Sequence, residues 1–406
     1  MRILVLSIGD ELLLGDTINT NAASFGQILV EHGLRLTQEQ MISDDPHEIY
    51  QSLSNAWGEY DIVITTGGLG PTHDDRTVEV LKRFGHERSL PLESYENTFG
   101  VEEGIFIKDE STWLMALPGV PYEAEGMFRA IVLPKILDQV GNEHGLQPRY
   151  LLTAGEREKE LAEQWIGDWS NYEAKGCTLA FLPGPANVKL RLGIEPVHRS
   201  HDDLHYQQDD HDPISILDEF EAFIHEKVSF CVYGREPSAS LSEVILLLCR
   251  EKGWRLGVAE SCTGGMIGAS LTDPAGSSDV FMGSLVTYSN QSKINQLSVK
   301  EDTISRYGAV SKETVIEMAK GVRDALGVEI GCSISGVAGP GGGSAEKPVG
   351  TIWFGLSTPE ETFAWTTQVG HTRELNRTRS VLLSLEALRR TLVGIERLPR
   401  GVAKQV

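Results

Sequence analysis

Asp61-Ile62-Val63-Ile64-Thr65-Thr66-Gly67-Gly68-Leu69-Gly70-Pro71-Thr72-His73-Asp74-Asp75 is the stretch that decides the fold. Asp61 to Thr66 is rich in β-branched residues and reads as a buried strand. The glycines after it let backbone N–H groups approach an anion. The helix predicted next, Thr77 to Phe84 with Gly85 ending it, adds the partial positive charge of a helix N-terminus. Strand, glycine turn and helix in that order are the unit of an open α/β sheet.

Working outward, the unit recurs. Arg2 to Ile8 reads as a first strand, followed by Gly9-Asp10-Glu11-Leu12-Leu13-Leu14-Gly15 and then by Asn19 and Asn21. Asn21 to His32 reads as a helix closed by Gly33, and Asp44-Asp45-Pro46 opens another, with Asp as cap and Pro tolerated in the first turn. A strand at Trp113 to Ala116 runs into Leu117-Pro118-Gly119-Val120-Pro121 and a helix toward Val140. The two glycine loops leave the carboxyl ends of strands, where open α/β sheets bind ligands. Asp10, Glu11, Asn19, Gly67, Gly68, Gly70, Asp74 and Asp75 are therefore candidate nucleotide-binding residues, with Asp74 and Asp75 the candidate holders of a divalent metal. The spacing is neither GxGxxG nor GxxxxGK[ST], which excludes both of those phosphate motifs.

The chain has 406 residues, enough for two or three domains. Its formal charge of −22 argues against a nucleic-acid binder, because phosphate neutralisation needs a basic face. Small phosphorylated substrates need only a few local donors. No apolar run is long enough to span a bilayer, and the opening strand lacks the long apolar core of a signal peptide, so a cytoplasmic location without membrane contact is expected. Cys177, Cys231, Cys249, Cys262 and Cys332 are scattered and lack CxxC spacing, which fits reduced thiols and not a disulfide framework or structural zinc.

Residues 149–237 read as a small α+β connector, with strands at Tyr150 to Thr153 and Val188 to Ile194 and a helix around Glu158 to Trp165. Its polar tract, from His198 to Pro213, reads as a solvated loop. From Ser240 the α/β pattern returns in a third block, 238–406. Leu241 to Lys252 reads as a helix with Gly253 after it, and Trp254 to Ala259 as a buried strand. Ser311 caps a helix from Lys312 to Leu326. Strands at Ile330 to Ile334 and Thr351 to Leu356 flank a glycine-rich loop, and a last helix starts near Arg373.

This third block carries nucleophile-and-base chemistry. Ala259-Glu260-Ser261-Cys262-Thr263-Gly264-Gly265 follows a strand and opens a helix. Pro274-Ala275-Gly276-Ser277-Ser278 is a tight turn before a strand, Val280 to Thr287, that delivers Tyr288-Ser289-Asn290 and then Lys293. Amide hydrolysis wants an activated hydroxyl, a base for its proton and donors for the oxyanion. No histidine lies between His225 and His371, so a Ser–His–Asp triad has no evident base here. A lysine serves once burial lowers its pKa, Tyr288 and a second serine are placed to relay protons, and amides of the glycine and serine turns are candidate oxyanion donors. Cys262, at a helix start, is the competing nucleophile, and without a neighbouring histidine it reads as a packed small residue. Ser335, Gly336 and Gly339 in the glycine-rich loop suit phosphate or ribose contact. Arg373 and Arg377, one helical turn apart, can face one anion.

Two resemblances follow from these motifs. Gly9-Asp10-Glu11-Leu12, Gly67 to Thr72 with Asp74-Asp75, and Leu117 to Pro121 resemble the molybdopterin-binding-like domain of the CinA (competence/damage-inducible protein A) family. That implies a MoCF-type doubly wound domain over residues 1–148, and an ADP-ribose pyrophosphatase activity using a divalent metal and potassium. The segment from Gly85 to Asn97 is much shorter than the family's, so the fold is expected to survive and the pyrophosphatase to be weak or lost. AESCTGG, PAGSS, TYSNQSK, YGAVS, SGVAGP and KPVG, in that order, resemble the family's C-terminal domain, the nicotinamide mononucleotide deamidases, over nearly all of residues 238–395. The resemblance implies an α/β amidohydrolase that needs no cofactor and acts as a homodimer. By it Ser278 is the nucleophile, Lys293 the base, Ser261 and Tyr288 assistants, and Ser335 and Arg377 (or Arg373) substrate contacts. Which serine attacks stays open at the level of sequence. A molybdopterin- or nucleotide-binding protein with a degenerate first site is the competing class.

Overall fold

The computed structural model describes residues 1–72, 75–141, 145–194, 212–370 and 372–406. They divide into two compact units, Met1–Pro148 and Arg149–Val406. Among the described residues no helix is long and apolar enough to cross a membrane.

The first unit is an α/β sandwich on one six-stranded sheet. Its strands are β1 (Ile3–Ile8), β2 (Gln38–Ile42), β3 (Ile62–Thr66), β4 (Leu92–Tyr95), β5 (Gly104–Lys108) and β6 (Trp113–Leu117), in the order β2-β1-β3-β6-β5-β4. The β2, β1, β3 and β6 strands are parallel, and β5 and β4 continue the sheet antiparallel. Successive side chains of a strand point to opposite faces, and β1 uses both. Ile3 and Val5 pack with Phe25, Ile28 and Phe128 on one face, while Leu4, Leu6 and Ile8 pack with Ile49, Leu53 and Phe84 on the other. That double burial is why Ile3–Ile8 is an unbroken apolar run.

Asp45 caps the helix Pro46–Ala56 by accepting from the amides of His47 and Glu48. The helix from Thr77 runs through Gly85 to Glu87, beyond the end expected from the glycine. Gly85 is buried there, and a β-carbon on it would lie 3.3 Å from the Leu90 carbonyl oxygen, so its smallness serves packing. The short segment after it is a turn at Ser89 leading into the edge strand β4. Asn97 then donates to Glu123 at 2.7 Å and accepts from the Phe99 amide at 2.9 Å, fastening the return onto the helix Pro121–Met127.

The second unit carries two sheets. The smaller consists of β7 (Arg149–Ala154), β8 (Cys177–Pro183), β9 (Asn187–Ile194) and β10 (Val232–Gly234), in the antiparallel order β10-β7-β9-β8, with the helix Pro213–Val228 packed on it. The larger is made of β11 (Leu256–Glu260), β12 (Phe281–Val286), β13 (Ile330–Gly336), β14 (Thr351–Ser357) and β15 (Thr362–Gln368), ordered β12-β11-β13-β14-β15. Here β12, β11 and β13 are parallel and β14 and β15 antiparallel.

Sequence alone separates 149–237 from 238–406, yet both lie in this one compact unit. A buried charge network ties them. Arg390 on the helix Arg373–Val393 donates to Glu386 at 2.6 Å, to Glu156 at 3.1 Å and to the Ala154 carbonyl at 3.0 Å. Arg389 reaches Glu386 at 2.8 Å and the Phe230 carbonyl at 2.8 Å. Burial pushes the Glu386 carboxyl up, while Arg389 and Arg390 pull it back down. Each carboxylate here has a guanidinium partner, the condition under which buried charge is tolerated. Most of the polar tract from His198, like Asp74, lies outside the described residues. Its end, Asp212, caps the helix Pro213–Val228.

Candidate functional site

The carboxyl ends of β11 and β12 deliver the central pair of the second unit. β11 ends at Glu260, paired with Val286 of β12, so Ser261 and Thr287-Tyr288 leave the sheet side by side. Ser289 caps the helix Asn290–Leu297 by accepting from the Ser292 amide at 3.0 Å. That cap sets Lys293 in the helix's first turn, and helical side chains lean back toward the N-terminus. Its Nζ donates to Ser261 Oγ at 3.0 Å and to the Thr287 carbonyl at 2.6 Å. Lys293 is 1 % exposed, and burial lowers its ammonium pKa to about 8. Among the described residues it forms no ion pair, which is the arrangement that makes a lysine a base near neutrality.

Ser278 is elsewhere. It sits exposed in the short turn Ser277–Asp279, which precedes β12. Leu256 pairs with Phe281, so Ser278 lies beyond the start of β11, whereas Ser261 follows its end. The length of β12 separates the two ends, roughly 20 Å along the sheet. Arg250 holds this turn by bonds to Asp279 at 2.6 Å and to the Gly276 carbonyl at 2.8 Å. Within one chain the hydroxyl beside Lys293 is therefore that of Ser261, and β12 places Ser278, the expected nucleophile, at the opposite end of the strands. Tyr288 is 65 % exposed, and its carbonyl lies 3.5 Å from the lysine Nζ.

Glu260 is the residue that motif reading passed over. Fully buried, its carboxylate accepts from the amides of Gly265 at 2.9 Å, Ile267 at 3.1 Å and Gly268 at 2.8 Å, and from Ser284 Oγ at 2.8 Å. It thus caps the helix Met266–Thr272 and fixes the loop bearing Ser261. The Gly265 amide is consumed by this contact and is not an oxyanion donor. An acidic residue directly before a serine at a helix start was the available signal. Cys262 is buried, and desolvation pushes its thiol up to about 12, in line with a packed residue and against a thiolate nucleophile.

The start of the helix Arg373–Val393 joins the loops after β11 and β13. Arg377 donates to the Thr263 carbonyl at 2.7 Å, Asn376 to the Ala338 carbonyl at 3.1 Å and Arg373 to the Gly339 carbonyl at 2.7 Å. Both predicted arginines therefore bind the site's loops. Beside Ser261, the Thr263 hydroxyl and the Arg377 Nε are buried without a partner among the described residues. The Ser335 hydroxyl is turned onto the Ala309 carbonyl at 2.7 Å. Gly336 and Gly339 lie against β14 and Val349, where β-carbons would come within 2.3 Å of Ile352 Cδ1 and 2.6 Å of Val349 Cγ1. Their smallness is a packing requirement.

In the first unit the loops after β1, β3 and β6 converge. Asn21 Nδ2 donates to Thr66 Oγ1 at 2.8 Å and to the Gly119 carbonyl at 2.9 Å, and Asn19 donates to Ser7 at 2.8 Å and to Glu39 at 2.6 Å. Asp10 receives its place from its amide, which donates to Asp44 at 2.9 Å, and Glu11 folds back over Gly9. Gly67 has φ 105°, and a β-carbon there would lie 2.2 Å from the Ile8 carbonyl oxygen; Gly68 stands over the Thr77 hydroxyl and Gly70 over Asp75. The Asp75 carboxylate accepts from the Thr72 amide at 2.9 Å and its hydroxyl at 2.5 Å. One carboxylate oxygen of Asp75 is thus engaged by Thr72, and Asp74 lies outside the described residues, so no chemistry is routed through a metal.

Residues 238–392 match the profile of the CinA C-terminal domain, and residues 4–138 match that described as "Probable molybdopterin binding domain". A CinA-like protein of Salinibacter ruber is 36 % identical over 97 % of this chain and 100 % of its own length. One from Kosmotoga olearia is 33 % identical, again over 97 % and 100 %. A crystallised CinA-superfamily protein from Klebsiella pneumoniae 700603 is 32 % identical over 38 % of this chain and 96 % of its own, with a TM-score of 0.37.

Proposed function

The chain belongs to the CinA-like protein family, and from that premise we propose that its second unit hydrolyses the carboxamide of nicotinamide mononucleotide, giving nicotinic acid mononucleotide and ammonia. The observation that carries this reading is the buried Lys293 amine 3.0 Å from the Ser261 hydroxyl. The neutral amine accepts the Ser261 proton as Oγ forms a bond to the carboxamide carbon. The tetrahedral adduct collapses with cleavage of the C–N bond, and the lysine returns the proton to the departing nitrogen, which leaves as ammonia. Water then hydrolyses the Ser261 ester by the same proton route. Arg377 supplies fixed positive charge beside this loop for the developing oxyanion or for the substrate phosphate. No metal enters these steps.

The test is ammonia release from nicotinamide mononucleotide in the presence of chelator, comparing the wild type with Lys293→Ala, Ser261→Ala and Ser278→Ala. Turnover lost in the first two and retained in the third is expected. A folded wild type without turnover would overturn the reading. For the first unit we propose a nucleotide-binding module at the loops after β1, β3 and β6. Robust metal-dependent release of AMP from ADP-ribose would make it a pyrophosphatase instead.

A further inference from the structure

The second unit holds a cavity of about 590 Å³ between the β8–β9 turn, the end of β15 and the chain around Arg400. Arg157, Arg379 and Arg400 line it, and Glu158 stands at its exposed rim. It is separate from the Ser261–Lys293 pair. Arg377 and Arg379 are two residues apart, so they project about 200° apart around their helix. Arg377 accordingly reaches Thr263, while Arg379 donates to the Pro185 carbonyl at 2.8 Å and the Val369 carbonyl at 3.0 Å.

Those two bonds orient the Arg379 guanidinium and leave donors over, since a guanidinium has five. Among the described residues the Arg400 guanidinium spends one weak bond, 3.4 Å to the Gln368 carbonyl. Neither Arg379 nor Arg400 forms an ion pair among the described residues, whereas Arg157 is paired with Glu160 at 3.2 Å. Glu156, also in the wall, is already matched by Arg390 and Arg397. Burial first, and then the charge of Arg157, lowers the pKa of Arg379; burial, Arg157 and Arg379 lower that of Arg400 against the smaller opposing pull of Glu160 and Glu156. The three cations thus sit close enough to repel one another. Arg400 moreover adopts φ 58° and ψ 18°, a left-handed conformation in which glycine is at ease and arginine is not. An arginine kept in strained backbone beside two others points to a use for its charge.

We propose that this cavity is an anion site that takes the phosphate group of a small phosphorylated molecule. Guanidinium forks match phosphate oxygens bidentately, and the volume exceeds what a bare phosphate ion needs. The proposal stands independently of the deamidase reading.

The test is titration calorimetry on the full-length protein with two probes, inorganic phosphate and ribose 5-phosphate, on the wild type, Arg400→Gly and Arg379→Gln. Both variants are expected to lose one binding event or weaken it roughly tenfold or more, with deamidase turnover kept. Arg400→Gly relieves the backbone, so its melting temperature without ligand should equal or exceed that of the wild type, while the rise on adding phosphate is lost. Tighter binding of ribose 5-phosphate assigns the site to a sugar phosphate, and equal binding assigns it to the free ion; either supports the site. Unchanged binding in either variant, or no binding event in the wild type, would overturn it.

Discussion

Replacing Lys293 by methionine tests the base at its physical root, the cost of burying an amine. Its pKa falls from 10.5 to about 8 through desolvation, and each unit is worth about 1.4 kcal/mol. The shift therefore corresponds to about 3 kcal/mol. The folded pKa lies below the unfolded one, so between about pH 8 and 10.5 the unfolded chain holds a proton that the folded chain lacks. Stability from this group rises with pH through that window. Below about pH 8 the full penalty is present, and above 10.5 it is gone. The methionine side chain would not titrate, and the bonds to Ser261 and the Thr287 carbonyl would be lost at every pH, so the difference between the two proteins isolates the titration. Wild-type stability minus that of the variant should climb by about 3 kcal/mol between about pH 7 and 11. All five cysteines are buried and lie in the second unit, so pulse labelling of thiols along a urea series reports the unfolding of that unit alone. The same base predicts deamidation in the wild type that rises with pH to a plateau above about 8, and none in the variant. A flat stability difference would show an ordinary lysine and refute the reasoning.

Further consequences can be checked separately. Ser261→Ala should lower kcat about 10³-fold or more, whereas Ser278→Ala should stay within a few-fold of wild type; steady-state ammonia release reads both. Glu260→Gln places an amide among three backbone donors and one hydroxyl, and should cost about 2–3 kcal/mol in urea unfolding and lower kcat through the displaced Ser261 loop. Arg390→Met leaves Glu156 and Glu386 short of a buried partner, and a loss of about 3–5 kcal/mol is expected in the same titration. In the first unit, Gly67→Ala forces a β-carbon against the Ile8 carbonyl oxygen at a positive φ; a fall of more than about 2 kcal/mol should appear in that unit's unfolding.

What sequence determined by itself was local. The apolar runs at Ile3–Ile8 and Ile62–Thr66, the Asp45 and Ser311 caps and the final helix from Arg373 all form as expected, because burial on both faces and capping are written in neighbouring residues. The strands that escaped, β2, β4, β5, β8, β10 and β15, include Gln-Glu-Gln-Met-Ile and Leu-Glu-Ser-Tyr, which are strands only because a neighbour supplies the ladder bonds. Family motifs brought Lys293 and Ser261 into view, but which serine faces the lysine is a matter of strand direction. β12 runs parallel to β11, and its length carries Ser278 to one end of the strands and Lys293 to the other. The partners of Glu260, the joining of residues 149–237 to the last helix through Arg389 and Arg390, and the meeting of Arg157, Arg379 and Arg400 likewise depend on the folded chain. Periodicity and local chemistry do not encode such meetings; only tertiary packing sets which distant polar groups must satisfy one another once water is excluded.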